Sequence, residues 1–198
     1  MTQKIIRTSP EYSDIDEIIQ QYHFPEDQKS LIKSLYQKHF SKPQVQLTYH
    51  INPEILGINL ASYAVAILTL GQQTDDIINT YLEKQQIMEA YIMDAISLKI
   101  MSRAYETMVQ EINKASGMTA TSLEFLGDRF PINLTKDIVD YLQPEGITLA
   151  EGFMLKPLKS VCVIIPLTGD NTELPVENLC NTCTSCGNLN CVMRAANK

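Results

Sequence analysis

No run in this chain approaches the roughly 18 consecutive apolar residues that a membrane-crossing helix needs. The longest, "ASYAVAILTLG", is far too short. The opening "MTQKIIRTSPEYSDIDE" has no apolar core of signal-peptide length. Lysine and arginine form no cluster, and 16 of them against 23 acidic residues leave a net charge of −7, so a nucleic-acid surface and a membrane partner are not expected. Histidine is scarce: His23, His39 and His50 all fall in the first quarter, and none pairs with another at a ligand spacing. G-x-S-x-G, the P-loop and G-x-G-x-x-G are absent, which removes local support for hydrolase, nucleotide-triphosphatase and Rossmann chemistry. No internal repeat or low-complexity stretch is visible. What remains is an ordinary globular composition, 44% apolar and 20% charged over 198 residues, enough for one domain with appendages. The expected location is the cytoplasm, where thiols stay reduced.

The apolar pattern predicts an α+β fold: a mixed or antiparallel sheet flanked by helices, with one long buried helix and a cysteine-rich, metal-binding tail. Residues 1–42 read as a helical segment, with "SDIDEIIQQYH" starting at a Ser13 cap and "PEDQKSLIKSLYQKHF" placing Pro25 in its first turn. Residues 43–169 read as the core. "QVQLTYHI" alternates as a half-buried strand, and "SYAVAILTL" is continuous enough for a central strand covered on both faces. A Thr74 cap is expected to open the helical stretch that ends at Gly117. Within it Tyr91, Leu98, Met101, Tyr105, Met108 and Ile112 form a heptad-like stripe, with Ile92, Ile96 and Ile100 on a second flank. "MTATSLEFLG" offers a further strand, "NLTKDIVDYL" a short helix, and "GITLAEGFMLKPLKSVCVIIPLTG" two extended pieces.

Asp94 lies in the apolar "AYIMDAISLKIM", where an ionised carboxylate costs free energy unless it is paired. Helical projection sets Lys99 or Arg103 beside it; structural use and ligand contact are both open.

Residues 170–198 hold four of the five cysteines. Cys180, Cys183, Cys186 and Cys191 read C-x2-C-x2-C-x4-C. Steps of three suit a [4Fe–4S] cubane, as in bacterial ferredoxins, although the last interval here is four and no proline follows. Zinc is the alternative, usually held by two separated C-x2-C knuckles, whereas these overlap at Cys183. Disulfides and free redox thiols complete the choices. Cys162, between valines, reads as a small core residue.

Taken in order, "YAVAILTLG", "AYIMDAIS", "MLKPLKSVCVIIPLTG" and "CTSCGNLNCVMR", ending C-x2-C-x4-C-x2-R on Cys183, Cys186, Cys191 and Arg194, resemble the stand-alone relatives of the activation domain of vitamin B12-dependent methionine synthase. The resemblance spans about Val45 to Arg194. It implies an antiparallel sheet flanked by helices. It also implies a role in returning a corrinoid from Co(II) to the active Co(I)/methyl-Co(III) cycle, with S-adenosylmethionine as methyl source and a flavodoxin- or ferredoxin-type protein as electron donor.

Two departures bear on the S-adenosylmethionine site. Ser102 stands where the family usually has glutamate, with Glu106 the acid one turn on. "TSLEFLGDRFPI" lacks the Pro-Gly-Tyr of the family's loop but keeps Gly127, Asp128, Phe130 and Pro131. Weak or absent binding of that ligand is therefore expected. The candidate ligand-binding and docking residues are Asp94, Phe125, Gly127, Arg129 and Lys159. No D-x-H-x-x-G, the histidine motif of B12-binding modules, is present, so a corrinoid would come from a partner methyltransferase. A second reading is a non-enzymatic iron–sulfur or zinc adaptor that binds a corrinoid protein.

Overall fold

The computed structural model describes residues 1–7, 12–40, 44–55, 57–170 and 179. Its elements are β1 (Thr2–Arg7), α1 (Tyr12–Tyr22), α2 (Lys29–Phe40), β2 (Gln44–Ile51), β3 (Tyr63–Thr69), α3 (Gln72–Glu83) and α4 (Ile87–Ser116). They continue with β4 (Thr119–Ala120), β5 (Glu124–Phe125), α5 (Leu134–Leu142), β6 (Thr148–Leu149), β7 (Leu155–Lys156) and β8 (Ser160–Thr168). The main sheet runs β1-β2-β3-β8-β4, with β5 also pairing β8, and all its strand pairs are antiparallel.

The period-two alternation decides which core each side chain enters. Val45, Leu47 and Tyr49 of β2, Ala64, Ala66 and Leu68 of β3, and Val163 and Ile165 of β8 face the larger core under α1, α2 and α4. Tyr63, Val65 and Ile67, with Cys162 and Ile164, face a smaller core under α5. Every residue of β3 is buried, as a central strand covered on both faces requires. The fold is therefore α+β, three layers deep, built on an antiparallel sheet with one long helix.

That helix, α4, covers 30 residues. Ile92, Met93, Ile96, Met108 and Ile112 are fully buried, and each such side chain contributes about 1.5–3 kcal/mol on leaving water. It stops at Gly117, whose left-handed backbone (φ 67) turns its N–H onto the carbonyl of Asn113 at 2.9 Å. Asn113 Oδ1 then accepts the N–H of Ala120 at 2.9 Å, so the helix end also starts β4.

Three details differ from the sequence reading. β1 is a strand within the segment read as helical, pairing Thr2–Arg7 with Gln44–Tyr49. α3 begins at Gln72, with Gly71 (φ 77) at its N-cap; Thr74 lies inside the first turn and its hydroxyl bonds the Leu70 carbonyl at 3.3 Å. Tyr91 leaves the buried stripe: it is 46% exposed and packs sideways on Phe24 and Tyr22, with centroids 5.2 and 6.2 Å away.

Candidate functional site

Asp94, Leu98, Met101 and Tyr105 follow one another along α4 at steps of four, three and four, which stacks them on one face. Opposite that face stand the start of β8 and the edge strand β5. Phe125 pairs with Val163, and Val161 lies two residues away on the same side of the sheet. Leu98, Tyr105, Phe125 and Val161 are all partly buried against the larger core, and the rings of Tyr105 and Phe125 meet edge to face at 6.0 Å. The result is a half-buried seam between α4 and the sheet edge, with aromatic carbon at one end and an ion pair at the other.

The ion pair joins Asp94 to Lys159. Lys159 Nζ lies 2.5 Å from Asp94 Oδ1, with the lysine side chain 15% exposed and the aspartate 39%. This corrects the helical projection. Lys99 and Arg103 turn away to α1, where Arg103 donates to Asp14 Oδ1 at 2.7 Å and Lys99 lies 3.8 Å from the same atom. Lys159 is held from its backbone as well. Its carbonyl accepts the N–H of Leu70 at 3.0 Å, and the preceding Leu158 N–H donates to the buried Asp75 carboxylate at 2.6 Å.

The other three candidates divide. Phe125 belongs to the seam. Arg129 does not: its guanidinium donates to Glu124 Oε1 at 3.3 Å and lies over the Phe130 ring, 5.4 Å from the centroid. Glu124 pairs with Ile164, so by strand parity it points to the α5 side of the sheet, and it also accepts the Ser122 hydroxyl at 2.6 Å. Gly127 sits between, exposed, at φ 105, in a tight turn closed by its N–H on the Phe130 carbonyl at 2.8 Å. A side chain there would strain the backbone although space is free. Ser102 is half-buried, about 80° round the helix from Asp94, and Glu106 is exposed about 120° round.

The four tail cysteines fall outside the described residues. Among the described residues, no group of three or more His, Cys, Asp or Glu is placed to hold a metal. Leu179, directly before Cys180, is fully buried in the larger core, and its carbonyl accepts the N–H of Leu123 at 2.8 Å. Cys162 is buried as read.

Sequence reasoning passed over a cleft of about 940 Å3 lined by Gln3, Lys4 and Ile5 of β1, the start of α3, His39 and Glu145. Burial holds the His39 imidazole below its usual range, and its Nε2 lies 2.9 Å from the Tyr81 hydroxyl. The two residues are 42 apart in the chain, so no local pattern could pair them. None of the five candidates lines this cleft or the smaller one beside Gly152.

No protein-family model matches the sequence, and no curated protein does. The fold does have a likeness. A solved structure described as the MetH reactivation domain bound to AdoHcy superposes with a TM-score of 0.58 over 89% of this chain and 81% of that one, at 8% identity. The chain thus has the reactivation-domain fold. Among the described residues no helix is long and apolar enough to cross a membrane.

Proposed function

We propose that this protein is an accessory factor in the reductive reactivation of a corrinoid-dependent methyltransferase such as methionine synthase. The observation that carries the reading is the likeness in fold to a MetH reactivation domain along most of both chains. The chain lacks the histidine motif of a B12-binding module, so the corrinoid is presented by the partner and met across an interface.

In this reading the seam is the place where an adenosyl ligand would lie, with weak or absent binding expected because Ser102 and the altered 125–130 turn depart from the family. Phe125 and Tyr105 form the apolar end of that face, and the Asp94–Lys159 pair its polar end. The turn from Gly127 to Arg129 forms the docking edge: its backbone is fixed by the Phe130 contact, and Arg129 is 54% exposed with further donors to offer. Reactivation needs one electron, from a flavodoxin- or ferredoxin-type donor, to take Co(II) to Co(I); Co(I) then takes a methyl from a sulfonium and leaves a thioether.

Cys180, Cys183, Cys186 and Cys191 offer the four thiolates that suit a [4Fe–4S] cluster, with zinc the alternative. When bound, such a cluster supplies a one-electron relay.

Mixing the full-length protein with the Co(II) form of a corrinoid-dependent methyltransferase and a low-potential reductant tests the reading. The Co(II) absorption should decay faster than with reductant alone, and Arg129→Ala should weaken co-purification of the pair about tenfold, the loss of one interface anchor. Binding with no change in cobalt reduction would favour the adaptor reading. Neither binding nor acceleration would sink both.

A further inference from the structure

We propose that the protein pairs with a second copy of itself through β1, strand against strand about a two-fold axis at Ile5, so that two sheets join into one. The inference stands apart from the function proposed above.

The hydrogen-bond phase of the sheet identifies the free groups of β1. Asn52 donates its N–H to the Tyr63 carbonyl at 2.7 Å, and on the other side of β3 Leu70 donates to the Lys159 carbonyl at 3.0 Å. Bonds in an antiparallel ladder alternate, so the even-numbered residues of β2 turn to β3, while Val45, Leu47 and Tyr49 turn to β1. Their partners there are Ile6, Lys4 and Thr2. Gln3, Ile5 and Arg7 therefore aim their N–H and C=O groups outward, where no strand among the described residues meets them. Outward groups at every second position are a template for an added strand.

The order of residues in β1 decides what suits that template, and in which register. Ile5 is the middle one of the three outward residues. An antiparallel copy centred on it sets every outward residue opposite another: Ile5 on Ile5, Gln3 on Arg7 and Arg7 on Gln3. Each such pair exchanges two backbone bonds. The same register brings together the side chains of Ile5, which is 63% exposed in the single chain. Branched apolar pairs across strands stabilise a sheet. Space is on hand, because the cleft of about 940 Å3 runs past Gln3, Lys4 and Ile5.

Charge disfavours the neighbouring register. Moving the copy by two residues would set Lys4 directly against Lys4, with Cα atoms about 4.5 Å apart, and like charges so placed repel. With Ile5 on the axis each Lys4 faces Ile6 instead and keeps its own counter-ion, Glu111. The lysine of the margin thus arrives already neutralised, and the two-fold axis repeats each contact.

Sedimentation velocity on the full chain, with reductant present, reads the pairing. A dimer should form with a dissociation constant on the order of tens of micromolar, as suits a contact below standard interface size. Ile5→Pro removes an N–H that points away from β2, so the β1–β2 ladder survives, and the dimer should weaken about tenfold or more. Ile5→Cys sets two thiols across the axis with Cα atoms about 5.5 Å apart, within disulfide reach. Mild oxidation and peptide mapping should find position 5 linked to position 5, whereas Gln3→Cys should not link to its like. If circular dichroism shows that Ile5→Pro does not fold, the cross-linking result decides alone. A dimer that Ile5→Pro leaves intact, or a link between two positions 3, puts the contact elsewhere and overturns the proposal. So does a monomer at every concentration, whichever foreign strand then takes the margin.

Discussion

Arg103→Ala should lower the unfolding free energy by about 3 kcal/mol, the lower end of what breaking a buried ion pair costs. In a domain of this size that corresponds to a fall of roughly 6–12 °C in the thermal midpoint. The size follows from the asymmetry of the pair. Asp14 is 2% exposed in the first turn of α1, while the guanidinium is 30% exposed and brings Nη2 and Nε to the same carboxylate oxygen, at 2.7 and 3.2 Å. Removing the arginine leaves a buried charge with Lys99 at 3.8 Å as an ion-pair contact, and that lysine also serves Glu17. Arg103→Lys should recover part of the loss, because a point charge replaces one of two hydrogen bonds. The exposed pair Lys136–Asp140, with both side chains about 60% exposed, is the contrast: breaking it should leave the midpoint unchanged. Equal midpoints for Arg103→Ala and the unmodified protein would show that the clamp between α1 and α4 carries no weight.

Anaerobically purified protein should contain iron and sulfide at about four per chain, the cubane stoichiometry, and Cys183→Ser should lose most of both. Zinc at one per chain without iron would remove the relay and leave a structural centre. Two disulfides in freshly reduced cell extract would remove both. The fifth cysteine gives a clean internal reference. Burial pushes the Cys162 thiol up to about 12, so it stays protonated through the range used for alkylation, and its side chain is sealed in the sheet. Labelling of metal-free native protein should therefore modify four thiols, with the fifth reacting after denaturation. Early labelling of Cys162 would mean that the smaller core opens readily.

The parts of the fold that were legible in the sequence are those whose pattern is local. β2 alternates, β3 is continuously apolar, and α4 has both a long period and a glycine stop. β1 was not legible, because Ile5 and Ile6 are adjacent and point to opposite faces: Ile6 is 6% exposed and Ile5 is 63%. A strand so weakly patterned owes its state to pairing with β2. The same limit governs the site. A helical projection compares Asp94 with residues a turn or two away, so it proposed Lys99 and Arg103. The partners are 65 residues on for Asp94 and 89 residues back for Arg103, and only the folded sheet brings them close. Tyr105, the ring that closes the seam on Phe125, was read as core, because a wide apolar stripe does not reveal which of its members stands at the rim.

The sheet's two margins have different consequences for self-association. On the β8 side the backbone is covered piecemeal, by β4 and β5 of two residues each, and the gap between them is filled where Leu179 takes the Leu123 N–H. Short, broken, plugged margins offer little template for another chain to add to. On the far side β1 is six residues long, and among the described residues no strand pairs with its outer margin. There Lys4, held by Glu111, is a charge that discourages stacking, while Ile5 beside it is bare. Self-association of concentrated protein is expected to start at that strand, and truncation before Leu179 is expected to open a second margin.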